Sequence, residues 1–234
     1  MRLDKFLSKA TELSRKDAKK VLHAGEITVN NTIIKDGSHH IDTTCDEVLW
    51  AGEPLSVADG NRYILLYKPD GFECTLKPKE YPIVTDLIAV PEVANLRIAG
   101  RLDVDTTGAL LLSDDGAWLH RVTSPKSHQP KRYEITLADP MDSQAQAVAI
   151  KQVANGILLE SETEKTRPAK LSFVDETHAV LTLTEGKYHQ VKRMMAYFGN
   201  KVVALHRASI GTITLDGLQM GECRFLRADE IAQF

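Results

Sequence analysis

Asp103 and Asp105 stand two residues apart in GRLDVDTTG, Gly100–Gly108, beside Arg101 and ahead of an apolar run, ALLLS. Carboxylates spaced this way can ligate a hard cation, attack a phosphoryl group, or act singly as covalent or acid–base catalysts. They can also be plain turn residues, because Asp and Thr side chains hydrogen-bond nearby backbone and a glycine supplies positive φ. The turn reading accounts for Asp105, Thr106, Thr107 and Gly108 and leaves Asp103 unexplained. The same tripeptide, Arg-Leu-Asp, also opens the chain at Arg2–Asp4. There the carboxylate falls in the first turn of a helix, where exposed amides favour it. With Arg2 and Lys5 as solvated neighbours, that copy reads as structural.

Each chemical reading of the internal copy demands a setting. Asp103, Asp105, Thr107, Gly108 and Asp114 match a relaxed calcium loop, but Asp stands where a bidentate Glu belongs, and ALLLS is strand-like where a helix should begin. Asp103-Val104-Asp105-Thr106 also fits the D-x-D-x-(T/V) of magnesium-dependent aspartyl phosphatases of the haloacid dehalogenase type. That motif ends a long apolar strand in a wound α/β fold, and here Gly100 and Arg101 interrupt any such strand. The third reading is a carboxylate on a rigid turn at a sheet edge, acting without a helper. No G-x-G-x-x-G, Walker A sequence or His/Cys/Asp cluster with metal spacing accompanies it, and Gly186-Lys187 is followed by Tyr188 where Ser or Thr is required. The expectation is chemistry with no cofactor and no metal.

The elements that must position these residues divide the chain in two. Residues 1–40 hold eight Lys or Arg against five Asp or Glu, which leaves the remainder at −6 within a net charge of −3. A basic head on an acidic body points to a polyanion as the partner of the head. Its pattern predicts two helices and a hairpin. Leu3, Phe6 and Leu7 form an apolar stripe. Ser14 and Gly25 bracket a second helix as N-cap and C′ residue, and EITVNNTIIKDG turns at Asn30-Asn31. With Ala18, Val21 and Leu22 facing inward, Arg15, Lys16, Lys19, Lys20 and His23 share an outer arc almost unrelieved by acids and able to neutralise several phosphates.

The polar segment VADGNR sets a boundary near Asp59, giving a head over 1–58 and a body over 59–234. Strand-like runs fill the body at 63–67, 109–113, 131–138, 157–160, 169–174, 179–184, 201–206 and 210–215. Helices interrupt them at 143–154, capped by Asp142, and at HQVKRMMAYF, stopped by Gly199-Asn200. Runs of strands with few helices predict an α+β fold on a mixed, largely antiparallel sheet rather than a wound βαβ arrangement.

The 43% hydrophobic and 26% charged residues are those of a soluble globular protein, and no apolar run approaches the roughly 20 residues of a membrane span. The charged N-terminus lacks the apolar core of an export signal. Cys45, Cys74 and Cys223, odd in number and far apart, suit three buried thiols in a reducing cytoplasm.

Two resemblances join these observations. Arg2 to Val57 resembles the S4 RNA-binding domain, in the helix that follows SR and the hairpin G-x-(I/V)-x-V-N. GRLDVDTTGALLLSDDG, YKPDG at Tyr67–Gly71, KRYEITL at Lys131–Leu137 and EGKYHQVKRM at Glu185–Met194 resemble the RsuA/RluA-type pseudouridine synthases, which also carry an S4-like head. The resemblance covers nearly the whole chain. It implies that uracil is detached from ribose, turned and rejoined through carbon, a redox-neutral change with no second substrate.

By this resemblance Asp103 is the catalytic aspartate, whether it attacks the ribose, attacks the base or removes a ribose proton. Each route needs it ionised in a partly dry pocket, where desolvation opposes the charge and a cation must offset it. The implied cation is Lys192, where the family often has Arg, with Arg193 adjacent. Tyr133 is the implied active-site aromatic that stacks on the base, and Arg101 enters the RNA where the uridine leaves. His189 and His206 read as RNA-facing or structural. DDGAWLHRVTSP and KRYEITLADPM are similar to the branch that acts on small-subunit ribosomal RNA, which implies uridine-516 of 16S rRNA. Large-subunit rRNA is the alternative substrate, with a phosphatase or a non-catalytic RNA binder behind it. The expected partner is ribosomal RNA, bound by a monomer and away from membranes.

Overall fold

The computed structural model describes every residue except 12, 44, 56–59, 78–79, 91–92 and 125–126, so the boundary expected at Asp59 lies outside the described residues. Chain contacts define two units, Met1–Asn61 with Val90–Asn95, and Arg62–Ala89 with Leu96–Phe234.

In the first unit, α1 (Leu3–Ala10) and α2 (Arg15–Ala24) pack on a small sheet. The Ser14 side chain accepts from the Asp17 amide and Gly25 closes α2 at φ 78°. Strands β1 (Ile27–Val29) and β2 (Thr32–Ile33) are joined by Asn30 and Asn31, both at positive φ, the geometry that matches a two-residue turn to strand twist. Strands β3 (Val48–Trp50) and β4 (Glu53–Leu55) complete the order β2-β1-β3-β4. Leu3, Phe6, Leu7, Ala18, Leu22 and Ile27 form its core. One detail differs from expectation. Asp4 is buried and takes two hydrogen bonds from the Arg2 guanidinium, at 3.1 and 2.7 Å. That pairing holds the carboxyl below its usual range, so Arg2 is a partner rather than a solvated neighbour.

The second unit contains β5 (Tyr63–Lys68), β6 (Arg97–Ala99), β7 (Thr106–Ser113), α3 (Gly116–Thr123), β8 (Lys131–Leu137), α4 (Ser143–Asn155), β9 (Lys170–Phe173), β10 (His178–Leu183), α5 (Gln190–Tyr197), β11 (Val202–Ile210), β12 (Ile213–Thr214), β13 (Cys223–Phe225) and α6 (Ala228–Ala232). Its sheet runs β13-β5-β7-β11-β8-β10-β9 and is antiparallel except where β7 meets β11. The α+β fold with a mixed, largely antiparallel sheet is the one expected. β7 lies inside the sheet, and its apolar run is buried, as a strand covered on both faces requires. Along one edge β11 pairs with residues 106–108 of β7 and β6 with residues 111–113. The chain between β6 and β7, which carries Asp103, is therefore fixed at both ends.

Gly108 is not the turn glycine its sequence suggested. It lies within β7 at φ +115°, and a Cβ there would sit 2.3 Å from the carbonyl oxygen and 2.6 Å from the amide nitrogen of Arg207. Replacing Gly108 by Ala is expected to lower stability by about 3 kcal/mol through strain and overpacking, read as a fall in the urea midpoint with unchanged slope.

Other expectations need correction. No strand forms at 157–160: Gly156 presses on the Thr166 carbonyl, and Ile157 exchanges its backbone hydrogen bonds with Thr166 of the same loop instead of with a sheet neighbour. The run expected at 201–206 extends to Ile210 as β11, with Arg207 buried within it, and of 210–215 only Ile213–Thr214 form a separate strand. α3 was not anticipated, although Asp115 caps it by accepting from the amides of Ala117 and Trp118. The thiols are not all buried: Cys45 is exposed and Cys74 and Cys223 are half-buried. No helix among the described residues is long and apolar enough to cross a membrane.

Candidate active site

Asp103 belongs to the six-residue connection between β6 and β7. Gly100 opens it at φ +79°, and the Thr106 amide closes it on the Asp103 carbonyl at 3.1 Å. What holds this turn is Lys68, at the end of β5 and 0% exposed. Its ammonium donates to the carbonyls of Pro69 (2.8 Å), Val104 (3.0 Å) and Thr106 (2.8 Å), which uses all three of its protons. Burial lowers its pKa, against the opposing pull of Cys74 and of Asp70, Asp105 and Asp103. The sequence marked YKPDG as part of a resemblance without giving Lys68 a task. Only the tertiary fold shows it as the clamp under the Asp103 turn.

The other wall comes from α5. His189 precedes the helix in the left-handed region, φ 46°, and its Nε2 lies 3.2 Å from one Asp103 oxygen. Lys192, one turn later, places Nζ 3.2 Å from the other oxygen and 2.6 Å from Asp105. Burial pulls the Lys192 amine down, but the hydrogen bonds and charges of Asp105 and Asp103 outweigh it and leave it raised. Asp105 is lowered, because Lys192 outweighs its burial. Both are therefore charged at neutral pH. Arg193, about 100° further round the helix, instead meets Glu162 at 2.8 Å. Lys192 is thus the residue beside Asp103. His189 stands just outside α5, three residues before Lys192, and its left-handed backbone is not signalled by the sequence.

Asp103, Tyr133 and Lys192 line one cavity of about 220 Å³, with Arg101 on its wall. Tyr133 is 8% exposed on β8, directly across from Arg207 of β11. Arg101 is exposed. Arg15, Lys16, Lys19 and Lys20 belong to α2 of the first unit, where Asp17 pairs with Lys20 at 2.8 Å; all four are exposed. The His206 Nδ1 meets the Thr107 hydroxyl at 2.8 Å, and burial lowers its pKa.

The competing chemistries fail on geometry. Residues 106–113 form a strand, so they cannot wrap a cation, and Asp114 is held by the amide and guanidinium of Arg62 at 2.7 and 3.0 Å. Among the described residues no cluster of three or more His, Cys, Asp or Glu is placed to hold a metal ion. Asp103 precedes a strand, β7, of a mixed and largely antiparallel sheet, whereas the phosphatase motif must end a strand of a wound one.

Comparison with known proteins decides the family. Residues 62–197 match RNA pseudouridylate synthase and residues 1–48 the S4 domain. The chain belongs to the RNA pseudouridylate synthase family. This synthase is 48% identical over 235 residues to the ribosomal small subunit pseudouridine synthase A of Pasteurella multocida, covering 100% of this chain and 99% of that one. It is 47% identical to the Vibrio cholerae protein of the same name, over 99% and 98% of the two chains. A crystal structure of a pseudouridylate synthase, 44% identical, superposes with a TM-score of 0.69 over 100% of this chain and 99% of that one.

Proposed function

We propose that this synthase isomerises one uridine of small-subunit ribosomal RNA, the counterpart of uridine-516 in 16S rRNA, with Asp103 as its catalytic carboxylate. The observation that supports this most is the seating of Asp103 between Lys192 and His189 on the wall of a cavity that Tyr133 also lines. The small-subunit substrate follows from likeness to the full length of relatives named for it. The reaction breaks C1′–N1, forms C1′–C5, releases the C5 proton and protonates N1. Electrons and atoms balance within one nucleotide, so a carboxylate and its counter-cation suffice.

In this reading the uridine is everted into the cavity, Tyr133 stacks on it, and Arg101 fills the gap. Unstacking costs a few kcal/mol, part of which a guanidinium stacked in the vacancy returns. The test is tritium release from [5-³H]uridine-labelled 16S and 23S rRNA by the purified chain, followed by mapping. One modified position in 16S rRNA is expected; modification confined to 23S rRNA would contradict the substrate, and none in either would contradict the activity.

The head supplies affinity rather than chemistry. Changing Arg15, Lys16, Lys19 and Lys20 together to Ala should flatten the salt dependence of RNA binding by about 0.7–0.9 in log–log slope for each phosphate no longer neutralised. Single-turnover rates at saturating RNA should stay within about threefold. Filter binding across a salt series and rapid-quench assays measure the two effects separately.

A further inference from the structure

The cavity that Asp103 lines also holds two cations that the proposed roles leave unused. Lys131 of β8 and Arg207 of β11 both line it, on the sheet face that carries Tyr133. Neither has a carboxylate partner among the described residues. The Lys131 ammonium reaches only the Gln129 carbonyl, at 3.4 Å, and Arg207 donates through Nε to the Ala109 carbonyl at 2.7 Å. Arg207 Nη2 is buried without a partner, as is the hydroxyl of Thr106, another lining residue. Two cations without a carboxylate partner in one sheltered site repel each other, and a buried donor without an acceptor is destabilising. Such an arrangement is tolerable where an anion arrives to occupy it.

The anion is not the RNA backbone. A phosphodiester has a ribose on either side and does not fit within a cavity of about 220 Å³, whereas the base ends its own branch. Nor is the base charged until it reacts. When C1′–N1 breaks, the electron pair stays with uracil and spreads over N1 and the carbonyl oxygens. We propose that Lys131 is a further catalytic residue, donating to a uracil carbonyl oxygen and carrying the charge that develops there, with Arg207 as the positioning cation behind it. This rests on the reading of the site as a pseudouridine synthase. It gives the detached base a holder while it turns, which neither Asp103 nor Tyr133 supplies.

The experiment compares single-turnover pseudouridine formation on 16S rRNA by wild type, Lys131→Met and Lys131→Arg across pH. Removing the donor should slow the Met variant about 10²–10³-fold, with RNA affinity within about threefold. The Arg variant, which keeps the cation, should stay within about tenfold of wild type. Burial, then the charge of Arg207, brings the Lys131 amine down to about 8, so it is protonated below that pH and neutral above it. Tyr133 on its own strand and Arg207 on β11 are the titratable groups beside it. Across the cavity stand Asp103 and Arg101 from the β6–β7 turn, His189 and Lys192 from α5, and Glu185 and Lys187 from the loop after β10. The wild-type rate should fall as pH rises through about 8, and in Lys131→Arg this limb should vanish because a guanidinium stays charged.

An unchanged limb in the Arg variant, or a Met variant within threefold of wild type, overturns the inference. Should the Met variant fail to fold, the Arg profile decides alone. Wild type that forms no pseudouridine in 16S rRNA overturns the functional reading and this inference with it. Wild type that forms it while the Lys131 variants match it overturns this inference only.

Discussion

Asp103→Asn eliminates pseudouridine formation, by about 10³-fold or more, and leaves RNA binding intact. Asn keeps the size and shape of the side chain and removes the charge that each possible route requires. The fold should tolerate the change. Lys192 retains Asp105 at 2.6 Å, so no cation is orphaned, and the ion pairs that Asp103 gives up are partly exposed and contribute less than about 1 kcal/mol. The Asp103 turn is held from below by Lys68 and not by its own carboxylate. Tritium release and filter binding on one preparation separate catalysis from affinity. Equal activity in the Asn variant would return the chain to the role of an RNA binder.

Lys68→Met produces the second large effect, this time through position. The substitution withdraws the ammonium that ties the Val104 and Thr106 carbonyls, on either side of Asp105, to the carbonyl of Pro69. The Gly71 amide still reaches Val104 at 3.0 Å, but it cannot draw the three carbonyls together. A buried acceptor deprived of its donor costs about 1–3 kcal/mol, so a fall of about 3 kcal/mol in stability is expected. Activity should drop about 10²-fold from misplacement of Asp103 by a fraction of an ångström, with RNA affinity unchanged. Lys68→Arg should not rescue it, because three carbonyls arranged around one nitrogen suit an ammonium and not a planar fork. Denaturant midpoints and single-turnover rates test both statements. A Met variant as active as wild type would show that the turn holds without its clamp.

The two lysines, Lys68 and Lys192, differ in how far the sequence reveals them. Helix caps, the Asn30-Asn31 hairpin and runs of strands with few helices between them are local signals, and the α+β class follows from them. Asp103, Tyr133 and Lys192 were legible only as matches to a family pattern, and the fold brings the three to one cavity. Lys68, Lys131 and Arg207 were not legible as working residues. A lysine at a strand end looks solvated until the sheet buries it under three carbonyls. Arg207 lies outside the strand runs the sequence marks, and its partner is the Ala109 carbonyl, 98 residues away. His189 is the intermediate case: the sequence reads it as RNA-facing or structural, and only the fold sets its ring beside Asp103. Gly108 shows the converse: a glycine that suggests a turn locally is required in mid-strand by the close approach of the Arg207 backbone.

The most direct test is nucleotide-resolution pseudouridine mapping of 16S and 23S rRNA from cells lacking the protein, complemented with either wild type or Asp103→Asn. One 16S position should lose its pseudouridine, regain it with wild type and stay unmodified with Asp103→Asn, while 23S rRNA is unaffected. Restoration by Asp103→Asn would contradict the account.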